Sequence, residues 1–199
     1  MVETSVFLAF AGFALVGTLS PGPNNIMVMA SGANFGLRRT LPHIFGIATG
    51  FAVMATLAGV GLMVVFDAVP VLFTVLKVVS VTYLLYLALK IARAAPPDAG
   101  TEAEAKPITF LQAAAFQWVN PKGWAFGMTA MTLYAPEHTL VSVLRVALLF
   151  CVFGLPANVL WTLMGTILRR WLSNQRRLRI FNFTMAALLV ASLYPALML

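Results

Sequence analysis

Residues 15–30 read LVGTLSPGPNNIMVMA, an apolar stretch that two prolines and a glycine interrupt at its centre. Proline lacks a backbone N–H and clashes with the preceding helical turn, so the SPGPNN segment at residues 20–25 cannot continue a helix. Backbone groups freed in hydrocarbon need hydrogen-bond partners or a water-lined cavity, so such a break is costly unless it serves a site. The stretch therefore predicts a discontinuous transmembrane helix with a binding site at the break. A kink that neighbouring helices repair is the alternative.

The composition is that of a membrane protein. Hydrophobic residues make up 61% of the 199 positions, and charged residues make up 10%. A soluble domain carries about a quarter charged residues, because its surface must face water. The single cysteine, Cys151, excludes an internal disulfide. We therefore expect an all-α integral membrane protein.

Six apolar stretches are each long enough to cross a bilayer, which takes roughly 20 residues. We predict spans at about residues 5–30, 41–66, 70–93, 108–134, 140–168 and 178–199. The connecting segments are GANFGLRRT at 32–40, DAVP at 67–70, a polar segment at 93–106, APEHT at 135–139 and RRWLSNQRRLR at 169–179. The third of these is linker-like. It divides a single membrane domain, 1–199, into half one (about 1–93), a cytoplasmic loop (about 94–107) and half two (about 108–199).

The distribution of basic residues predicts the orientation. Ten of the thirteen lysines and arginines lie in or beside the first, third and fifth connecting segments. The N-terminus and the second and fourth segments carry only Glu3, Asp67 and Glu137 as charged residues, together with His138. Cytoplasmic loops are enriched in Lys and Arg, so we expect both termini to be periplasmic.

A second interruption, Asn120-Pro121-Lys122-Gly123, lies in the fourth span. At the helical rise, Lys122 is roughly 20 Å from either end of that span, too deep for its side chain to reach the headgroups. A charge at this depth costs about 2.5–3.5 kcal/mol and usually faces a cavity. No acidic residue lies in the middle of a predicted span. We therefore expect an anionic substrate group or cavity water as its partner; backbone carbonyls of the broken helix are the alternative.

The two interruptions occupy matching places in the two halves. SPGPN at 20–24 and VNPKG at 119–123 lie about a hundred residues apart, as do the stretches 46–50 and 154–158. Each half has three spans, an odd number, so the second half must enter the membrane inverted. Broken helices in inverted repeats point to a binding site at their interface, and a half-helix N-terminus suits a carboxylate. The predicted substrate-binding residues are Ser20, Pro21, Gly22, Pro23, Asn24, Asn25, Asn120, Pro121, Lys122 and Asn158.

At SPGPNN and at VNPKGW, residues 119–124, the sequence resembles the LysE/RhtB family of bacterial amino-acid exporters, along essentially the whole chain. The resemblance implies export of an amino acid across the bacterial cytoplasmic (inner) membrane, driven by the proton gradient. The chain departs from the family at FNFTM, residues 181–185, where a glycine often stands. The residues that match the two motifs are Pro21, Gly22, Pro23 and Asn24 in the first, and Asn120, Pro121 and Lys122 in the second.

No mid-membrane acid is present to hold a cationic side chain, so we expect a small neutral substrate, moved by alternating access. Its carboxylate would meet Lys122 and the backbone amides near Asn24. Its ammonium would meet the carboxamide oxygens of Asn24, Asn120 or Asn158, or carbonyls of the unwound backbone. Proton coupling has three candidates, namely His43, Asp67 and the substrate's own amine. An interfacial structural role is the alternative for His43.

Two other classes of function are open. A membrane-embedded enzyme acting on a lipid-like substrate usually needs a metal cluster, a nucleophile–base pair or paired carboxylates. Two His, one Cys and six scattered acids offer no such set, so we expect no catalytic residue, cofactor or metal. A passive channel or assembly subunit is not excluded by the residues. The expected partners are an amino-acid substrate and membrane lipid, not nucleic acid, and a homo-oligomer is left open.

Overall fold

The computed structural model describes residues 2–69, 71–94, 106–172 and 174–192, and all regular structure within these ranges is helical. This confirms the all-α fold class. The helices are α1 (Val2–Leu19), α2 (Pro23–Leu57), a π-helical turn (Ala58–Leu62), α3 (Met63–Ala68), α4 (Val71–Ala92), α5 (Phe110–Gln117), α6 (Pro121–Tyr134), α7 (Leu140–Arg169) and α8 (Gln175–Ala191). Most of the linker-like segment, residues 95–105, lies outside the described ranges.

Both predicted interruptions are present. Residues 20–22, the first break, separate α1 from α2, and residues 118–120, the second break, separate α5 from α6. The second helix of each pair begins with a proline, Pro23 in α2 and Pro121 in α6. Proline suits this position because its fixed φ fits a helix and its missing N–H would be unpaired there anyway.

The break predicted between the first two spans, at residues 32–40, is present as a one-residue kink and not as a loop. This segment lies inside α2, and only Gly36 leaves the helical region, with φ 77° and ψ 171°. Glycine adopts a positive φ without steric cost, so one residue turns the chain where a loop was expected. The predicted span at 41–66 is also interrupted, by the π-helical turn, in which Gly61 has φ 109°.

Three helices in the described ranges are long and apolar enough to cross a membrane, namely Pro23–Leu62, Thr74–Ala92 and Leu140–Arg169. Thr4–Leu19 is apolar but shorter. The breaks account for part of the difference from six, because they leave α5 with 8 residues and α6 with 14. The six-span arrangement therefore stays a prediction.

The core forms where α7 crosses α2, and glycines bring the two backbones together. A Cβ at Gly32 would overlap the Thr162 carbonyl, and a Cβ at Gly165 would overlap the carbonyl of Met29. The Thr166 hydroxyl donates to the Gly32 carbonyl at 3.3 Å across the same crossing. Close approach at small residues is how membrane helices associate. This crossing fixes α7 beside the first break.

Candidate functional site

A cavity of about 90 Å³ lies where the two broken pairs of helices meet, between α1, α2, α6 and α7. We call it the break cavity. Seven of the ten predicted site residues line it: Gly22, Pro23, Asn24, Asn25, Asn120, Lys122 and Asn158. Ser20, Pro21 and Pro121 do not line it, although the first two contact Lys122. The fold thus brings together residues that lie more than a hundred positions apart, and their role in binding stays a prediction.

Lys122 enters the break cavity from the first turn of α6 and bridges to the first break. Its Nζ donates to the Ser20 carbonyl at 2.7 Å and to the Ser20 hydroxyl at 2.8 Å, with a longer contact of 3.4 Å to the Pro21 carbonyl. A Cβ at Gly22 would lie 2.7 Å from Cδ of Lys122, so a side chain at this position would displace the lysine. The sequence left several partners for Lys122 open, and the structure shows one of them, the backbone carbonyls of a broken helix.

Asn24 pairs reciprocally with Gln117, a residue that the sequence analysis missed. Nδ2 of Asn24 donates to Oε1 of Gln117 at 2.9 Å, and Nε2 of Gln117 donates back to Oδ1 of Asn24 at 3.0 Å. Gln117 is fully buried and also donates to the Ala113 carbonyl. The Asn24 carboxamide, one of the predicted acceptors for the substrate ammonium, is therefore already paired in this structure, and its role in binding stays a prediction. A glutamine inside a predicted span was the signal for this partner, since buried amides need hydrogen bonds.

Each break is closed by a side chain of the helix that follows it. Nδ2 of Asn25 donates to the carbonyls of Thr18 and Ser20, at 2.9 and 2.8 Å. At the second break, Nε1 of Trp124 donates to the Trp118 carbonyl at 2.8 Å. These donors satisfy carbonyls that have no partner at a helix C-terminus. Asn25, predicted as a substrate ligand, uses its amide group for this closure.

Asn120 carries an unpaired acceptor beside the break cavity. It is 2% exposed, and its Oδ1 has no hydrogen-bond partner among the described residues. An unsatisfied buried polar group costs about 1–3 kcal/mol, so a donor that reached this oxygen would be stabilised. Asn158, which is also buried, lines the cavity from α7. These two carboxamides are therefore better placed to meet a ligand than Asn24 or Asn25.

His43, one of the residues predicted for proton coupling, does not line the break cavity. His43 is fully buried in α2, and neither ring nitrogen has a partner among the described residues. Asp67 lies near the end of α3, and its side chain falls outside what the structure describes. Their role in coupling stays a prediction.

The chain matches one known family over most of its length. The profile of the LysE type translocator family covers residues 15–192. The cysteine/O-acetylserine efflux proteins of Salmonella typhimurium (strain LT2) and Escherichia coli (strain K12) are 33% and 32% identical over 186 residues, 92% of each chain. No solved structure matches the chain. These findings confirm the resemblance drawn from the two motifs. The protein belongs to the LysE type translocator family, and is therefore a multi-pass membrane transporter and not an enzyme.

Proposed function

We propose that this protein exports a small neutral amino acid, or a close derivative of one, across the bacterial inner membrane, and that the break cavity is its substrate site. The observation that carries the proposal is the convergence of two half-helix N-termini, Lys122 and Asn120 on one cavity. The Oδ1 atom of Asn120 has no hydrogen-bond partner among the described residues. The relatives named as cysteine/O-acetylserine efflux proteins support a substrate of this class.

The substrate carboxylate binds at the positive side of the break cavity. The N-termini of α2 and α6 both open onto it, at Pro23 and near Lys122. Free backbone amides and the positive end of the helix dipole favour an anion at such a position. The Lys122 ammonium has three donors, so it turns from Ser20 towards the carboxylate as the substrate enters.

The substrate ammonium donates to Oδ1 of Asn120, with the Asn158 carboxamide as a second acceptor. No acidic side chain lines the cavity among the described residues. A cationic side chain would therefore have no counter-charge there, which favours a neutral substrate. The size of the cavity, about 90 Å³, also favours a small one, since sites for drug-sized ligands span about 300–1,000 Å³.

Transport proceeds by alternating access, with six spans in two inverted halves and both termini periplasmic. The similar closure of the two breaks, by Asn25 in one half and Trp124 in the other, supports the repeat. In this scheme the proton gradient acts through His43, Asp67 or the substrate amine. The two halves rock about the break cavity, as in other transporters built from inverted repeats.

A flux assay in proteoliposomes tests the proposal. Purified protein should move cysteine, O-acetylserine or another small neutral amino acid with saturation, and an imposed proton gradient should accelerate this movement. At substrate concentrations below saturation, Lys122→Met should reduce transport roughly ten- to a hundredfold. Arg176→Met, which removes an exposed charge far along the chain, should not reduce it. Non-saturable flux of many solutes would identify a channel instead. Absence of flux for a whole amino-acid panel, with folded protein in the vesicles, would contradict the proposal.

A further inference from the structure

The break cavity has a polar end at the breaks and an apolar wall on α2 and α7. The wall contains Phe51 and Phe150, whose ring centroids are 5.0 Å apart in an edge-to-face arrangement, and the neighbouring Cys151. Phe126 of α6 closes one side of it. A Cβ at Gly17 would overlap the Phe126 ring, so this ring is held firmly against α1. A zwitterion whose charged groups occupy the polar end must place its side chain against this wall.

The wall offers almost no hydrogen bonding. The thiol of Cys151 is 3.7 Å from the Ala48 carbonyl, and a thiol is a weak donor and a weak acceptor. Thr18 donates its hydroxyl proton to the Ala14 carbonyl at 2.7 Å, and its methyl Cγ2 is the atom that faces Gly154 of α7. Asn158 lies seven residues beyond Cys151, roughly 10 Å further along the helix axis.

A hydroxyl group and a thiol group of similar shape fare differently against such a wall. The hydroxyl gives up strong hydrogen bonds to water and finds no replacement. A methyl group gives up no hydrogen bonds to water, and a thiol gives up only weak hydrogen bonds. Sulfur also makes favourable contacts with aromatic rings. The wall therefore discriminates by hydrogen-bonding capacity and not by size.

We propose that the apolar wall of Phe51, Phe126, Phe150 and Cys151 determines substrate specificity because it offers a hydroxyl group no strong hydrogen-bond partner. It thereby favours a side chain that ends in sulfur or methyl over one of the same shape that ends in hydroxyl. This inference rests on the proposed function, because it takes the break cavity to be the amino-acid site.

Three amino acids that differ in one group test it: cysteine (thiol), 2-aminobutyrate (methyl) and serine (hydroxyl). Binding to the purified protein is measured by calorimetry under reducing conditions. We expect cysteine and 2-aminobutyrate to bind roughly ten- to a hundredfold more tightly than serine, the range typical of an apolar pocket that excludes a hydroxyl. This ratio requires no variant, so it does not depend on whether a variant folds.

Two substitutions of Cys151 test whether the wall causes this preference. Cys151→Ser places a hydroxyl in the wall, and this hydroxyl can form a hydrogen bond with the hydroxyl of bound serine. The affinity of cysteine and 2-aminobutyrate relative to serine should therefore fall. Cys151→Ala removes the thiol without adding a hydrogen-bonding group and should leave the ratio in place. Equal affinity for all three ligands, or a ratio unchanged in Cys151→Ser, would overturn the specificity inference and leave the proposed function standing. Failure of all three to bind the folded wild-type protein would overturn both.

Discussion

The ammonium of Lys122 lies 2.7 Å from the carbonyl oxygen of Ser20, a residue 102 positions earlier in the chain. The same carbonyl accepts a bond from Asn25, so the end of α1 is held both by its own half and by the other. In the proposed substrate site, a carboxylate would compete with Ser20 for the lysine. This competition would make the link between the two broken helix pairs sensitive to ligand binding.

Removal of the Ser20 hydroxyl should strengthen substrate binding. Ser20→Ala keeps the carbonyl but deletes the hydroxyl that holds Lys122 at 2.8 Å in the substrate-free protein. The substrate then displaces one bond fewer, and we expect affinity to rise by up to about tenfold, which corresponds to about 1.4 kcal/mol. Calorimetry on the purified variant checks this. A clear fall in affinity would show that Ser20 contacts the substrate and does not compete with it.

The Asn24–Gln117 pair should be a stabilising link between the halves. Gln117→Leu leaves the Asn24 carboxamide in a largely buried place without its partner, at a cost of about 1–3 kcal/mol. A thermal melt in detergent should show a lower Tm. Gln175→Leu, which removes an exposed carboxamide at the start of α8, is the matched control and should melt like wild type. Equal melting of both variants would contradict a structural role for the pair.

Two glycine-to-alanine substitutions should have opposite effects. At Gly32 a Cβ would overlap the Thr162 backbone, so Gly32→Ala must push α2 and α7 apart. Overpacking of this kind costs about 1–3 kcal/mol or more. At Gly12 nothing lies within 4 Å of an added Cβ. Gly12→Ala should therefore raise stability by up to about 1 kcal/mol through helix propensity. The melting temperatures of the two variants test this prediction. Similar shifts for both would contradict the close approach of α2 and α7 at Gly32.

The orientation is open to a direct test by reporter fusions. Fusions at Asp67 and Glu137 should report periplasmic locations, and fusions at Gly100 and Gln175 should report cytoplasmic ones, because the basic residues flank the second pair. A reversed result at any one of these four positions would overturn the six-span arrangement.

The sequence predicted the helix breaks well, because proline and glycine have few conformations and leave a strong local signal. It predicted the break at residues 32–40 but not its form, since polar and basic residues there resembled a loop, whereas Gly36 alone turns the chain. Seven of the ten predicted site residues line one cavity, but the sequence did not predict the hydrogen-bond partners of these residues. Reciprocal bonding between Asn24 and Gln117 depends on tertiary contacts between helices 93 residues apart, which no local pattern encodes.

The most direct test of the central claim is the affinity of Lys122→Met for its amino acid, measured by calorimetry beside a melting curve. The variant keeps much of the side-chain stem but removes the charge and with it one charge-assisted bond, worth about 1.5–3 kcal/mol. We predict an affinity roughly ten- to a hundredfold lower, with folding intact because the cost of the buried charge disappears as well. Lys122→Arg should restore little of the lost substrate affinity, since a planar guanidinium does not replace a compact ammonium. Normal binding by Lys122→Met, together with a much lower melting temperature, would show that the lysine only tethers the two breaks and would contradict the substrate site.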